Sequence, residues 1–277
     1  MKEIIGLPLG QEVTYKCQYD SKLLVGIPRN LARDAINLPI ELPFKGFDVW
    51  NCYEVSWLNN KGKPCVKILQ FIVPAESKYL IESKSVKLYL NSLNGTKFSN
   101  KQEVNKLIQQ DLSNVSKSEV VVIIRDLEEL CAEPMSLFDG VNIDGLDVEI
   151  TDYDVNADLL NTLNAGEVVA ETLYSNLLKS NCLITNQPDW ASVQIKYRGK
   201  QIEHKSLLRY IVSFRNHNEF HEQCVEHMFN DIMQQCAPEE LTIHAKYTRR
   251  GGVDINPYRT NLSLEVTDIS KTRDVRQ

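Results

Sequence analysis

Part of this chain occurs twice, and that repetition limits its fold more than any other feature. The stretch I-E-S-K-S-V-K-L-Y-L-N-S, residues 81–92, is echoed by I-E-H-K-S-L-L-R-Y-I-V-S, residues 202–213. Ile, Glu, Lys, Ser, Tyr and Ser coincide at an offset of 121 residues. Self-similarity at a fixed distance implies one supersecondary unit used twice. Each copy reads as a strand, a helix, a second helix and a strand. Upstream, Asn51 and Cys52 echo Asn181 and Cys182.

The elements around the repeat follow from periodicity and punctuation. Residues 1–45, broken by several prolines, read as an irregular wrapping arm with at most a short helix. Val66–Pro74 has strand composition, Ser77–Leu93 a helical apolar pattern, and Asn100–Leu112 a second one. Ser118–Arg125 reads as a buried strand, and Cys131–Asp154 as irregular chain rich in Asp and Gly. In the second half, Gly166–Leu178, Glu203–Phe214 and Glu219–Cys236 read as helices. Ser192–Tyr197 and Leu241–Tyr247 read as strands.

At 277 residues the chain is long enough for two domains, and 43% hydrophobic residues suffice for a sizeable core. Its formal charge of −6 argues against a broad nucleic-acid surface. The seven cysteines are scattered without a C-x-x-C pair, which predicts free thiols in a reducing compartment. Met1–Gln11 does not resemble a signal peptide, and no apolar run approaches spanning length, so a cytoplasmic protein is expected.

Four stretches carry candidate chemistry. In S-N-C-L-I-T-N-Q-P-D-W, residues 180–190, Cys182 enters a short apolar run and Asp189 follows seven residues later. Spacing leaves Cys182 as either a buried small hydrophobe or a nucleophile at a strand edge, with Asp189 as proton acceptor and then donor. In F-R-N-H-N-E-F-H-E, residues 214–222, His217 and His221 stand four apart. H-E-x-x-H is absent and no cysteine lies at a close zinc spacing, so no metal is expected; His221 with Glu222 reads as a cap or as a polar pair that orients a substrate. Glu82 and Glu222 are salt-bridge residues or carboxylates that accept two parallel hydrogen bonds from an amidine-like ring edge. In K-Y-T-R-R-G-G-V-D-I-N-P, residues 246–257, Arg249, Arg250 and Gly251 read as a basic surface turn or a phosphate contact, to which Lys84 and Lys87 add charge. Neither G-x-G-x-x-G nor G-x-x-x-x-G-K-[ST] occurs. Neither half holds a full polar set, so a single site would draw on both.

Taken together, these stretches resemble the NADPH-dependent 7-cyano-7-deazaguanine reductases, the nitrile reductases of queuosine biosynthesis, in their long two-module form. E-S-K-S-x-K-L-Y is Glu82–Tyr89, C-x-x-T-x-Q-P-D is Cys182–Asp189, F-R-N-H-x-x-F-H-E is Phe214–Glu222 and R-R-G-G-x-D-I-N-P is Arg249–Pro257. The resemblance implies an α+β tunnelling fold (T-fold): two tandem modules, residues 1–145 and 146–277, with antiparallel sheets backed by helices. It implies a homodimer, NADPH as cofactor, no metal, and no direct contact with nucleic acid or membrane. Cys182 would attack the nitrile carbon to form a thioimide, Asp189 would move protons, and His221 would lie over the substrate and aid proton transfer. Glu82, Ser83 and Glu222 would bind the deazaguanine. Ser83, Lys84, Lys87, Arg249, Arg250 and Gly251 would contact the cofactor. A thiol-dependent nitrile or amide hydrolase and a zinc-dependent cyclohydrolase-like enzyme are the alternatives.

Overall fold

The computed structural model describes residues 15–131, 133–163, 168–264 and 273–277. The stretch Met1–Gln11 lies outside them. In chain order the elements are β1 (Gly26–Pro28), α1 (Asn30–Ala35), β2 (Lys45–Leu58), β3 (Pro64–Pro74), β4 (Tyr79–Ile81), α2 (Ser83–Ser92), α3 (Lys101–Ser116), β5 (Val121–Arg125), α4 (Leu127–Cys131), β6 (Met135–Ser136), β7 (Val141–Asn142), β8 (Val168–Asn181), β9 (Pro188–Lys200), α5 (His204–Ser213), α6 (His221–Cys236), β10 (Glu240–Tyr247), β11 (Val253–Thr260) and β12 (Arg273–Asp274). They form two compact units, each discontinuous in sequence. The first takes the described residues of Met1–Leu31, Val49–Pro134 and Arg249–Asp254; the second takes those of Ala32–Asp48, Met135–Thr248 and Ile255–Gln277. None of the described helices is long and apolar enough to cross a membrane.

In the first unit the sheet order is β5-β3-β2, with β3 and β5 antiparallel from Ile68↔Arg125 to Ile72↔Val121. The buried run Ile68–Val73 in β3 lies in the core, where Phe71 stacks on Trp50 at 5.1 Å. Helix α3 buries Val104, Ile108 and Leu112, one stripe at four-residue spacing. Asn100 starts that helix by accepting from the Glu103 N–H. Helix α2 starts later than the expected Ser77: Tyr79–Ile81 forms β4, paired with β1. The reason is Glu82, whose carboxylate caps the helix by accepting from the Lys84 and Ser85 N–H groups.

In the second unit the order is β11-β10-β9-β8-β7. Strands β8, β9, β10 and β11 pair antiparallel, and only the two-residue β7 runs parallel to its neighbour β8. One expectation is corrected here. Gly166–Leu178 is not a helix: its described part belongs to β8. Val169, Leu173 and Leu177 recur every four residues, a spacing that a helical face shares with one side of a strand; the bulge between Ser175 and Leu178 then turns Leu178 inward and leaves Leu177 exposed. Strand β11 begins directly after the Gly251-Gly252 pair and runs through Pro257. Helix α6 buries Cys224, Val225, Met228, Phe229 and Ile232.

Beneath α6 lies a buried ion network. The Arg259 guanidinium, fully buried, donates to Asp48 Oδ1 at 2.8 Å and to Glu226 Oε1 at 2.8 Å. Arg33 donates to both oxygens of Glu226, each at 2.8 Å. Burial opposes the charge of Arg259, but Asp48 and Glu226 outweigh it and raise its pKa.

The repeat is visible in matching hydrogen bonds. Glu203 caps α5 as Glu82 caps α2, accepting from Lys205 and Ser206 N–H. Ser85 Oγ donates to the Glu82 carbonyl, and Ser206 Oγ to that of Glu203. Tyr89 donates to Asp111 and Tyr210 to Asp231. These bonds account for the coincident Glu, Ser and Tyr. The pairing of Cys52 with Cys182 fails the same test. Leu58 exchanges bonds with the Thr96 carbonyl and the Phe98 N–H as Asn181 does with His217 and Glu219. Asn59 therefore stands at the place of Cys182, while Cys52 lies inside β2 with its thiol pKa pushed far up by burial.

Candidate functional site

Strands β8 and β9 form a hairpin, and Cys182 is the first residue of its turn. Its N–H donates to the Gln187 carbonyl at 2.8 Å, and its carbonyl accepts from Asn186 N–H at 3.0 Å. Asn186 takes the left-handed conformation, φ 56°, that this closure requires, and a residue with a short polar side chain tolerates it. Asn218 secures the turn from outside, its amide reaching the Cys182 carbonyl at 3.4 Å and the Asn186 side chain. Cys182 is half-buried, neither sealed in the core nor fully exposed. Cys224 and Cys236 differ: burial pushes the Cys224 thiol well up and that of Cys236 up to about 11, which makes them poor nucleophiles.

Asp189 is the second residue of β9, opposite Ser180, and is only 3% exposed. Its Oδ2 lies 3.3 Å from His221 Nε2. His221 opens α6, and its ring lies flat on Tyr247, centroids 3.8 Å apart and planes within 5°. Glu222 follows, buried in the first turn of the helix, where the N-terminal dipole favours a carboxylate. Four buried polar atoms in these segments make no hydrogen bond: Ser180 Oγ, Thr185 Oγ1, His221 Nδ1 and Tyr247 OH. The Ser180 and Tyr247 hydroxyls approach the Cys224 thiol without reaching ordinary hydrogen-bond geometry. Unpaired buried polar atoms are costly in a protein interior, and an unpaired His221 Nδ1 on a ring that faces the buried Asp189 suits a site that binds a polar ligand. Sequence reasoning missed Tyr247; the signal was an aromatic closing a strand just before two arginines.

The remaining expected residues belong to the first unit. Glu82 is fully buried; burial raises its pKa against the opposing helix N–H groups and the charges of Lys87 and Lys84. Ser83 and Lys84 open α2. Arg250 and Val253 exchange backbone bonds across a turn in which Gly251 and Gly252 have φ of 58° and 74°. Arg249 places its guanidinium 4.0 Å over the Tyr53 ring. Lys87 and Gly251 line one cavity of about 70 Å³ with Cys52, Glu54, Asn91 and Gly252. A Cβ on Gly251 would meet the Lys87 side chain at 3.3 Å, so glycine leaves this approach open.

His217 and His221 do not share a helix face, because His217 precedes α6 and points elsewhere. His217 Nε2 lies 2.9 Å and His227 Nδ1 3.5 Å from Glu219 Oε2. This is the trio of the described residues with ligand atoms close enough together for a metal ion, all within 4.8 Å. Two imidazoles also neutralise the buried carboxylate without one. Burial favours neutral His227, but the hydrogen bond and charge of Glu219 prevail and raise its pKa. Burial pushes Glu219 up, and the two histidines more than reverse this. The raised His227 value means that its contribution is complete below the unfolded value of 6.5 and is lost as pH climbs through the folded value. The lowered Glu219 value means that its contribution is present above 4.5 and lost at lower pH. The thermal midpoint is expected to fall as pH rises above 6.5, and His227→Gln to flatten that slope. An equal slope in the variant would refute the assignment.

Two family models match the chain. One, described as "Nitrile reductase, 7-cyano-7-deazaguanine-reductase N-term", matches residues 15–124; the other, described as "QueF-like protein", matches residues 188–265. Together they span about two thirds of the chain. Among solved structures, the archaeosine synthase QueF-Like in the apo form aligns with 14% identity and a TM-score of 0.31, over 37% of this chain and 100% of its own.

Proposed function

Because this chain belongs to the nitrile reductase family, in its long form with two modules, we propose that it reduces the nitrile of 7-cyano-7-deazaguanine to the primary amine through a thioimide on Cys182, with NADPH as reductant. In this reading the modules divide at residues 1–145 and 146–277, and the protein acts as a homodimer in the cytoplasm, in queuosine tRNA modification. One observation carries the proposal: the half-buried Cys182 opens a turn whose far strand holds the buried Asp189, itself 3.3 Å from His221.

The steps follow from the chemistry of those groups. Asp189 takes the thiol proton of Cys182, and the thiolate forms an S–C bond to the nitrile carbon. The nitrile nitrogen receives a proton from the same carboxyl, with His221, 3.3 Å from Asp189, aiding the transfer, leaving a C=N bond that accepts hydride more readily than the triple bond. When bound, NADPH supplies hydride, one equivalent for each of the two two-electron reductions. After the first, the S–C bond breaks, Cys182 leaves as thiolate and an imine is held in the site. Asp189 and His221 hold and move the protons that complete the amine. Glu222, Glu82 and Ser83 bind the deazaguanine; each oxygen of Glu82 keeps acceptor capacity beyond its one cap bond.

The first-unit turn fits a phosphate-bearing cofactor. Lys87 flanks a cavity with a glycine backbone, and Arg249 presents an exposed guanidinium beside it in sequence. The cavity admits a phosphate-sized group, not a dinucleotide, and Glu54 in its wall opposes an anion. Lys84, Arg250 and Ser83 complete the cofactor assignment.

The test is intact-protein mass spectrometry with 7-cyano-7-deazaguanine and no NADPH. A mass gain equal to the whole substrate, mapped to Cys182, is expected, followed by loss of NADPH absorbance when cofactor is added. Substrate consumption at constant NADPH absorbance would instead indicate a thiol hydrolase. Stoichiometric zinc on Cys182 would indicate a cyclohydrolase-like enzyme.

A further inference from the structure

The 273–277 segment makes no part of the reacting set, yet it is bonded to β8 and β9, whose hairpin holds Cys182 and Asp189, and to β10, which ends at Tyr247 under His221. Arg273 and Asp274 pair in parallel with Met135 and Ser136. Arg276 Nη1 then donates to the Asn176 carbonyl at 3.1 Å and to Ser192 Oγ at 3.3 Å. Asn176 lies in the bulge of β8, the strand that leads to Cys182, and Ser192 stands three residues beyond Asp189 in β9. Gln277 is buried, and its amide Nε2 donates to the Tyr247 carbonyl at 2.9 Å and to Asn256 Oδ1 at 2.6 Å. The Gln277 N–H closes the turn on the Asp274 carbonyl at 3.0 Å.

Tyr247 is where this matters. It is the last residue of β10, and the next N–H, that of Thr248, makes a bond to the Trp190 carbonyl just beyond the strand. The Tyr247 ring is the floor on which His221 lies, and its hydroxyl makes no hydrogen bond. Nor does the other nitrogen of His221, Nδ1, so among the described residues the ring stack and Asp189 are the directional contacts seen on the imidazole. Ring stacking fixes a plane only as well as the lower ring is fixed.

We propose that the 273–277 segment is a strap that positions the catalytic imidazole: the Gln277 amide holds the Tyr247 main chain, and the Tyr247 ring holds His221 over Asp189. Gln277 and Tyr247 are positioning residues. The inference rests on the reading of Cys182, Asp189 and His221 as the reacting set.

The test compares the wild type with Gln277→Ala and Gln277→Asn in single-turnover adduct formation with 7-cyano-7-deazaguanine. Adduct amplitude counts folded, competent sites, and the rate at saturating substrate reports their geometry. Gln277→Ala is expected to keep near-full amplitude and to lose about tenfold in rate, the size of effect that a small misplacement produces. Gln277→Asn keeps an amide donor and is expected to regain part of that loss. An unchanged rate, or a loss of amplitude alone, would overturn the proposal and leave Gln277 with a purely structural role. If Gln277→Ala does not fold, Asn256→Ala removes the second anchor of the same amide, and about a threefold loss in rate is expected; no loss counts against the strap. If the wild type forms no adduct, the reductase reading fails by itself, and the strap is read from the His221 imidazole NMR signals. Those signals are expected to move in Gln277→Ala; identical spectra would refute positioning.

Discussion

Replacing Cys182 with alanine is expected to abolish the covalent adduct and to lower turnover by about 10⁴-fold or more, the scale at which loss of a nucleophile leaves only binding and proton transfer. The argument rests on contrast among thiols. Cys52, Cys224 and Cys236 are buried, with pKa values raised by desolvation, and cannot supply thiolate. Cys182 is half-buried at the start of a turn, with its backbone held from both sides by Gln187 and Asn186. Cys131→Ala, at an exposed thiol, is the control and is expected to react like the wild type. An adduct that survives Cys182→Ala would place the chemistry on another residue. Asp189→Asn separates the roles: it keeps the shape of the side chain but not its basicity, so slower adduct formation there assigns the carboxylate to thiol activation.

The second large effect concerns stability. Glu226→Ala is expected to cost about 3–5 kcal/mol, because it leaves the Arg33 and Arg259 guanidinium groups close together without the carboxylate that both address. Removing one partner of a buried network is worse than never having built it, since the remaining charge cannot recover its hydration. The thermal midpoint would fall by about 10 °C for a unit of this size. Glu226→Gln retains an acceptor oxygen and should lose less. A midpoint shift of about 1 °C or less for Glu226→Ala would show that water or a rearranged Asp48 satisfies Arg259.

Much of this was legible because it is local. A helix cap, its serine and its tyrosine lie within a dozen residues, so the duplicated Glu82 and Glu203 stretches reveal two copies from their letters alone. Cys182, Asp189, His221 and Glu222 were legible as candidates by motif. Partnerships that depend on tertiary placement were not. His227 pairs with Glu219 across a helix start, and Tyr247 meets His221 from another strand, without a spacing rule to predict either. Strand β8 misled because apolar residues four apart suit one side of a strand as well as a helical face, and the bulge that turns Leu178 inward in place of Leu177 has no signature in the letters. Cys52 misled through identity of letters, because Asn51 and Cys52 match Asn181 and Cys182 while the hydrogen bonds align Cys182 with Asn59.

That last alignment has a consequence for how reactivity is divided between the copies. Asn59 closes its own turn, accepting from the Lys61 and Lys63 N–H groups with one side-chain oxygen. A thiol cannot do this. The turn that begins with Cys182 instead relies on a left-handed Asn186 and on Asn218, which reaches over from beyond α5. A nucleophile at this position therefore exchanges a self-sufficient corner for one maintained by its neighbours. A cysteine grafted at position 59 would inherit the address but not the scaffolding, so the two halves are not interchangeable, and reactivity here is a property of the whole hairpin environment and not of one residue.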